Sequence, residues 1–78
     1  MRIELLGDNC RTCRRLKINI ERALQGVSAN VELQDICDPQ RFVEYGLLSL
    51  PGLAVDGKLK SEGQLLSTLE ILSLLGKT

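Results

Sequence analysis

Two cysteines two residues apart, in the stretch Gly7-Asp8-Asn9-Cys10-Arg11-Thr12-Cys13, carry the most evident chemistry of the chain. Three kinds of work suit them. As a dithiol they can exchange with disulfides, because a thiolate is the nucleophile of that reaction. As soft ligands they are half of a zinc site or the whole of a copper(I) site. As small apolar side chains they can fill space. Packing accounts for Cys13, which falls on the apolar stripe of a predicted helix. It does not account for Cys10, in the polar first turn just after a loop.

Exchange needs a thiol whose pKa lies below the ordinary value of about 8.5. A helix N-terminus favours the thiolate through its free N–H groups and its dipole. Arg11, Arg14 and Arg15 add positive charge nearby, so Arg11 and Arg14 are the expected tuning residues. Cys10 is then the exposed attacker. Cys13, one turn further in, is the resolving thiol that frees the partner. No cofactor is required. Metal binding makes other demands. Tetrahedral zinc wants four ligands, and the chain has no His and only Cys37 beyond the pair. A closed zinc site would therefore need Asp35, Asp38 or a second subunit, whereas copper(I) needs only the two thiolates. Asp8 and Asn9 are expected to cap the helix, and Asp8 also to raise the pKa of Cys10 against the arginines. Cys37 reads as a partly buried bystander.

The elements that must position these residues emerge from periodicity. Ile3 and Leu5 alternate with Arg2 and Glu4, predicting a strand over residues 2–6. Cys13, Leu16, Ile20, Ala23 or Leu24, and Val27 recur at helical spacing, predicting a helix from about Cys10 to Gln25 with Gly26 as its C′ residue. Val31 to about Ile36 is a second strand. Asp38-Pro39 starts a short helix that ends at Gly46. Leu53-Ala54-Val55 is a buried strand, and Asp56-Gly57 is a two-residue hairpin turn. Lys58-Leu59-Lys60 returns as an edge strand. Ser67-Thr68-Leu69-Glu70 is a capping box, with Leu66 and Ile71 as its staple, and opens a last helix running to about Leu75. The order is βαβαββα: an α/β class with a four-stranded mixed sheet and three helices, in a single domain over residues 1–78.

Composition excludes several functions. A formal net charge of zero gives no field for gathering nucleic acid or an anionic membrane. One Phe, one Tyr and no Trp leave no surface on which bases would stack. No apolar run is long enough to cross a membrane, and Met1-Arg2-Ile3-Glu4-Leu5-Leu6 is too short and charged for a signal peptide. The expected compartment is the cytosol. There, three cysteines, an odd count, suit catalysis or metal better than a disulfide framework. With 44% hydrophobic residues, the chain can build an aliphatic core.

The succession of strand, Cys-x-x-Cys at a helix N-terminus, strand, helix, Pro-led strand, Asp-Gly hairpin and helix resembles the thioredoxin fold over nearly the whole chain. It is most similar to the small thioredoxin-like redox-active disulfide proteins. The residues that carry this likeness are I-x-x-L-G-x-x-C-x-x-C at Ile3 to Cys13, Glu44-Tyr45-Gly46, S-x-P at Ser49 to Pro51, and Val55-Asp56-Gly57-Lys58. The resemblance implies a thiol–disulfide oxidoreductase that meets a disulfide-bearing protein or small-thiol substrate and draws electrons from a separate reductase. It implies further that Pro51 is cis and that Leu50 and Pro51 lie against the cysteines, the Leu50 backbone pairing with the partner chain. Asn9 stands where thioredoxins carry an aromatic, Arg11-Thr12 replaces their Gly-Pro, and Leu50 replaces a common Thr. Ser61-Glu62-Gly63 does not reproduce the glutathione-binding segment of glutaredoxins. Residues 10–33 also resemble the first half of a heavy-metal-associated domain, but the second half departs from it. A soft-metal module and an interaction domain with a vestigial redox pair thus stand as the alternative readings. The leucines at 47, 48 and 50 form either core or a partner-docking patch.

Overall fold

The computed structural model describes residues 1–26 and 30–76; Val27, expected to end the apolar stripe of the first helix, lies outside them. The elements run in the order β1 (Arg2–Leu6), α1 (Arg11–Leu24), β2 (Glu32–Ile36), α2 (Pro39–Tyr45), β3 (Gly52–Val55), β4 (Lys58–Glu62) and α3 (Thr68–Leu74). The sheet order is β2-β1-β3-β4. β1 runs parallel to β2 and antiparallel to β3, and β3 is antiparallel to β4. This is the α/β architecture expected from the hydrophobic pattern.

The local chemistry explains the boundaries. Asp38 caps α2 by accepting the Gln40 N–H, Pro39 occupies the first turn, and Gly46 closes the helix in the left-handed region at φ 69°. Ser67 and Glu70 complete a reciprocal capping box on α3. Asp56 and Gly57 both take positive φ, 51° and 83°, the backbone that a two-residue hairpin with matched twist requires. The Asp56 carboxylate also accepts the Arg2 N–H at 2.7 Å, tying the hairpin to the start of β1. Gly26, by contrast, does not take the left-handed conformation expected of a C′ glycine; Gln25 ends α1 with helical dihedrals.

The main core lies between one sheet face and the α1–α3 pair. Ile3, Leu5, Leu53 and Val55 of the sheet meet Leu16, Ile20 and Ala23 of α1 and Leu66, Ile71 and Leu75 around α3. The Asn19 side chain donates to the Leu66 carbonyl at 2.9 Å, fixing the approach to α3 against α1. The opposite face is covered by α2 and by Leu47 just past its end. Leu47 packs over Gly52, so closely that a Cβ on Gly52 would stand 2.5 Å from Leu47 Cδ1.

That second face holds a buried charge. Glu4, which alternates with Ile3 and Leu5 along β1, is only 1% exposed. Its carboxylate receives Arg41 Nη2 at 2.6 Å and the Tyr45 hydroxyl, with Arg2 Nη2 at 3.8 Å. Arg41 and Tyr45 sit one turn apart on α2, whose residues include none that is fully buried. The helix is therefore seated on the sheet through an ion pair, and the buried carboxylate is tolerated because both of its oxygens are hydrogen-bonded.

Candidate active site

β1 ends at Leu6, and Gly7 continues along the sheet by donating its N–H to the Ile36 carbonyl at 3.0 Å. Asn9 turns the chain through the left-handed region at φ 64°, which Asn adopts more readily than most residues. α1 then begins at Arg11, with Cys10 as its N-cap in extended conformation. The Cys13 N–H donates to Cys10 Sγ at 3.3 Å, satisfying one of the helix's free donors. This corrects the expectation that Asp8 or Asn9 would cap the helix: α1 begins one residue later, and a sulfur takes the role of an oxygen.

The two sulfurs are 2.7 Å apart, and the Cys13 thiol also points at Asp8 Oδ1, 3.8 Å away. Asp8 thus bonds to Cys13, and its carboxylate also lies within 4.8 Å of Cys10 Sγ. The environments of the cysteines differ sharply. Cys10 is half-buried, while Cys13 is 3% exposed. Burial pushes the Cys13 thiol above its ordinary value, and its hydrogen bond with Cys10 adds to the shift. Behind Cys13 stands Gly7, where a Cβ would lie 2.6 Å from Cys13 Sγ. Only a glycine leaves room for this sulfur, a requirement the sequence signals merely as a turn residue before the pair.

The other expected residues take varied positions. Arg11 and Arg14 are exposed in the first turn of α1. The Leu50–Pro51 peptide bond is cis. Pro51 is buried and leads into β3, its carbonyl accepting the Gly63 N–H at 2.8 Å. Since Leu6 is paired with Gly52, Pro51 lies one residue further on beside Gly7, at the end of the sheet that holds the cysteines. The leucines divide: Leu47 packs inward, Leu50 is partly exposed, and Leu48 is 89% exposed.

Cys37 is exposed rather than partly buried. It borders a groove of about 260 Å³ between α1 and the end of β2, shared with Cys13, Arg14, Lys17, Asp35 and Ile36. Asp35 is engaged by Lys17 at 2.6 Å and Asp38 caps α2, so both carboxylates that a closed zinc site would have needed are committed elsewhere. The carboxylate beside the pair is Asp8. No helix among the described residues is long and apolar enough to cross a membrane.

A four-stranded mixed sheet in the order β2-β1-β3-β4, three helices and a cysteine pair heading the first of them define a thioredoxin-like α/β protein. A solved structure described as "Structure of a malarial protein" shares this fold with a TM-score of 0.73, over 97% of this chain and 93% of its own, at 12% identity. The model of the thioredoxin domain family matches residues 1–76. A protein named "Thioredoxin" from Methanothermobacter thermautotrophicus is 37% identical over 75 residues, covering 96% of this chain and 97% of its own. The chain belongs to the thioredoxin domain family. Membership supports thiol–disulfide oxidoreduction as the general chemistry, with disulfide substrates and reductases as the general class of partners.

Proposed function

We propose that this chain acts as one domain, residues 1–78, in two-electron thiol–disulfide exchange, with Cys10 attacking and Cys13 resolving. The Cys10 thiolate attacks one sulfur of a partner disulfide, forming a mixed disulfide and releasing the other partner sulfur as a thiolate. The Cys13 thiolate then attacks Cys10 Sγ, releasing the second partner thiolate and leaving the Cys10–Cys13 disulfide. The partner gains two electrons and the pair loses two. A separate reductase or a small thiol returns them, and no bound cofactor takes part. The cytosol, where such a pair can be kept reduced, is the compartment this reading assigns.

The observation that carries the assignment is the asymmetry of two touching sulfurs: 2.7 Å apart, one half-exposed, the other 3% exposed. A partner disulfide reaches Cys10 first, and the buried Cys13 sulfur already stands against its neighbour. Arg11 and Arg14 supply positive charge beside the attacking thiolate. Leu50 and Pro51 provide the docking edge, the partner's backbone pairing with that of Leu50 and its apolar side chains meeting Leu50 and Leu48.

The test is the Cys10–Cys13 equilibrium against a glutathione or dithiothreitol series in metal-free buffer, read by thiol alkylation. A single two-electron transition between about −120 and −270 mV, the span of such exchange proteins, is expected. Cys13→Ser should accumulate mixed disulfides with oxidised partners, and Cys10→Ser should not. If no disulfide forms at any poise, or if Cys10→Ser is the variant that traps partners, the assignment fails.

A further inference from the structure

We propose that Asp8, with the reduced Cys10 and Cys13, forms a three-ligand zinc(II) site whose fourth coordination position opens to solvent. The inference needs only reduced thiols and does not rest on the exchange activity. One ligand atom from each of these residues lies within 4.8 Å of the other two, the only such trio of Cys, Asp or Glu among the described residues.

The distances suit the ion. Tetrahedral zinc with Zn–S near 2.3 Å and Zn–O near 2.0–2.2 Å sets neighbouring sulfurs about 3.8 Å apart and sulfur and oxygen about 3.5 Å apart. Asp8 Oδ1 already stands 3.8 Å from Cys13 Sγ. The two sulfurs, at 2.7 Å, must separate by about 1 Å to hold the metal at those bond lengths. Cys13 is held by its burial and by Gly7 behind it. The movement therefore falls on Cys10, a half-exposed residue outside the helix proper. The Cys13 N–H points toward Cys10 Sγ, and a metal-bound thiolate still accepts a hydrogen bond.

The donor set selects the metal. Copper(I) is satisfied by two soft thiolates and leaves a carboxylate idle, whereas zinc, a borderline ion, takes sulfur and oxygen together. Two thiolates and a carboxylate bring three negative charges to two positive ones. The remaining charge sits at the positive end of α1 beside Arg11 and Arg14. Three protein ligands with one open position mark a site that exchanges its metal and can accept a water or an outside thiol.

Zinc replaces the protons of both thiols, so binding releases up to two protons and transfers no electrons. It also occupies the sulfurs that would otherwise join. Zinc binding and disulfide formation exclude each other, so the metal holds the pair reduced and silent.

The experiment titrates zinc into the reduced full-length chain against a chromophoric chelator, with cobalt(II) as a spectroscopic stand-in. The expected results are one metal per chain, a tetrahedral cobalt spectrum, and measurable binding lost in Cys10→Ser. Asp8→Asn should weaken zinc binding at least tenfold, the lower end of what even an outer-shell partner contributes. Asp8 is exposed, so that variant leaves the core intact, and Asp8→Glu should restore part of the affinity by returning a carboxylate. Equal affinity of wild type and Asp8→Asn, or one metal shared by two chains, overturns the site. The disulfide equilibrium measured in parallel without metal separates the two readings. A normal transition with no zinc binding refutes this site alone. Zinc binding with no transition supports the site and refutes the exchange activity.

Discussion

Replacing Gly7 by alanine should load its cost onto a single sulfur. Gly7 has no left-handed backbone requirement, so the penalty is steric. The new Cβ would stand 2.6 Å from Cys13 Sγ and 3.2 Å from Cys13 Cβ. Ordinary contact lies near 3.5–4.0 Å, so the overlap with sulfur is about 1 Å. Gly7 cannot retreat easily, since its N–H is bonded to the Ile36 carbonyl at 3.0 Å. Cys13 cannot either, since α1 is anchored by Leu16 and Ile20 at 1% and 0% exposure. Overpacking of this kind costs about 1–3 kcal/mol, a large share of the roughly 4–12 kcal/mol expected of a domain this size. At about 4–8 °C per kcal/mol, Tm should fall by about 5–20 °C. Urea unfolding of wild type, Gly7→Ala, Cys13→Ala and the double variant in reducing buffer checks the cause. Removing Sγ leaves only the milder 3.2 Å contact, so the double variant should recover about 1–2 kcal/mol relative to the sum of the singles. Additivity within about 0.5 kcal/mol, or a neutral Gly7→Ala, would refute the reasoning.

Arg41→Ala removes the 2.6 Å partner of a carboxylate that is 1% exposed. It should lower stability, though by less than breaking a fully buried pair does, because Arg41 is partly exposed and the Tyr45 hydroxyl remains. Adding Glu4→Met to that variant should recover most of the loss in urea unfolding. The hydrogen bond to the Glu4 carboxylate, with burial second, holds the Tyr45 hydroxyl above its ordinary 10.0. The unfolded chain therefore releases this proton first as pH rises. The stabilisation is complete below pH 10.0 and is lost as pH climbs through the folded-state value. The stability gap between wild type and Tyr45→Phe should accordingly be constant from pH 7 to 9 and shrink above 10; a gap that does not change with pH contradicts this. Leu50→Glu should slow reduction of protein disulfides by about 5–30-fold, the effect of losing 1–2 kcal/mol of docking, while small disulfides react as before. Parallel loss on both substrates would remove Leu50 from the docking edge.

Much of this architecture was legible because the short-range signals agree with one another. The Asp38-Pro39 start, the Asp56-Gly57 turn and the Ser67–Glu70 box each fix a boundary through local chemistry, and the structure obeys all three. The alternation of Ile3 and Leu5 identified a strand correctly but only half of its surroundings. Glu4 is buried by a helix that arrives some 40 residues later in the chain, and period-two patterning cannot see such a cover. Arg41 and Tyr45, one turn apart on a helix with few apolar residues, were the available hint. In the site, spacing identified the cysteine pair, whereas the cap hinged on a one-residue shift of the helix start. Cys37 follows apolar Ile36 at the end of a strand, which suggests partial burial, yet it stands exposed at the edge of the groove.

The sulfur that caps α1 is also the sulfur proposed to do the chemistry, so any reagent that consumes Cys10 removes a structural part. A mixed disulfide, an alkyl group or an oxidised sulfur each alters the acceptor for the Cys13 N–H, and the first turn of the helix registers the change. Hydrogen exchange at that single amide becomes a reporter of whether Cys10 is free. The same feature ranks the usual substitutions. Serine is among the best N-cap residues, so Cys10→Ser abolishes reactivity while keeping the helix start, whereas Cys10→Ala also gives up the cap, at a cost below the ~0.5–2 kcal/mol of losing an oxygen cap because sulfur is the weaker acceptor. Inactivation by alanine would therefore mix loss of the thiol with fraying of the first turn, and inactivation by serine would not.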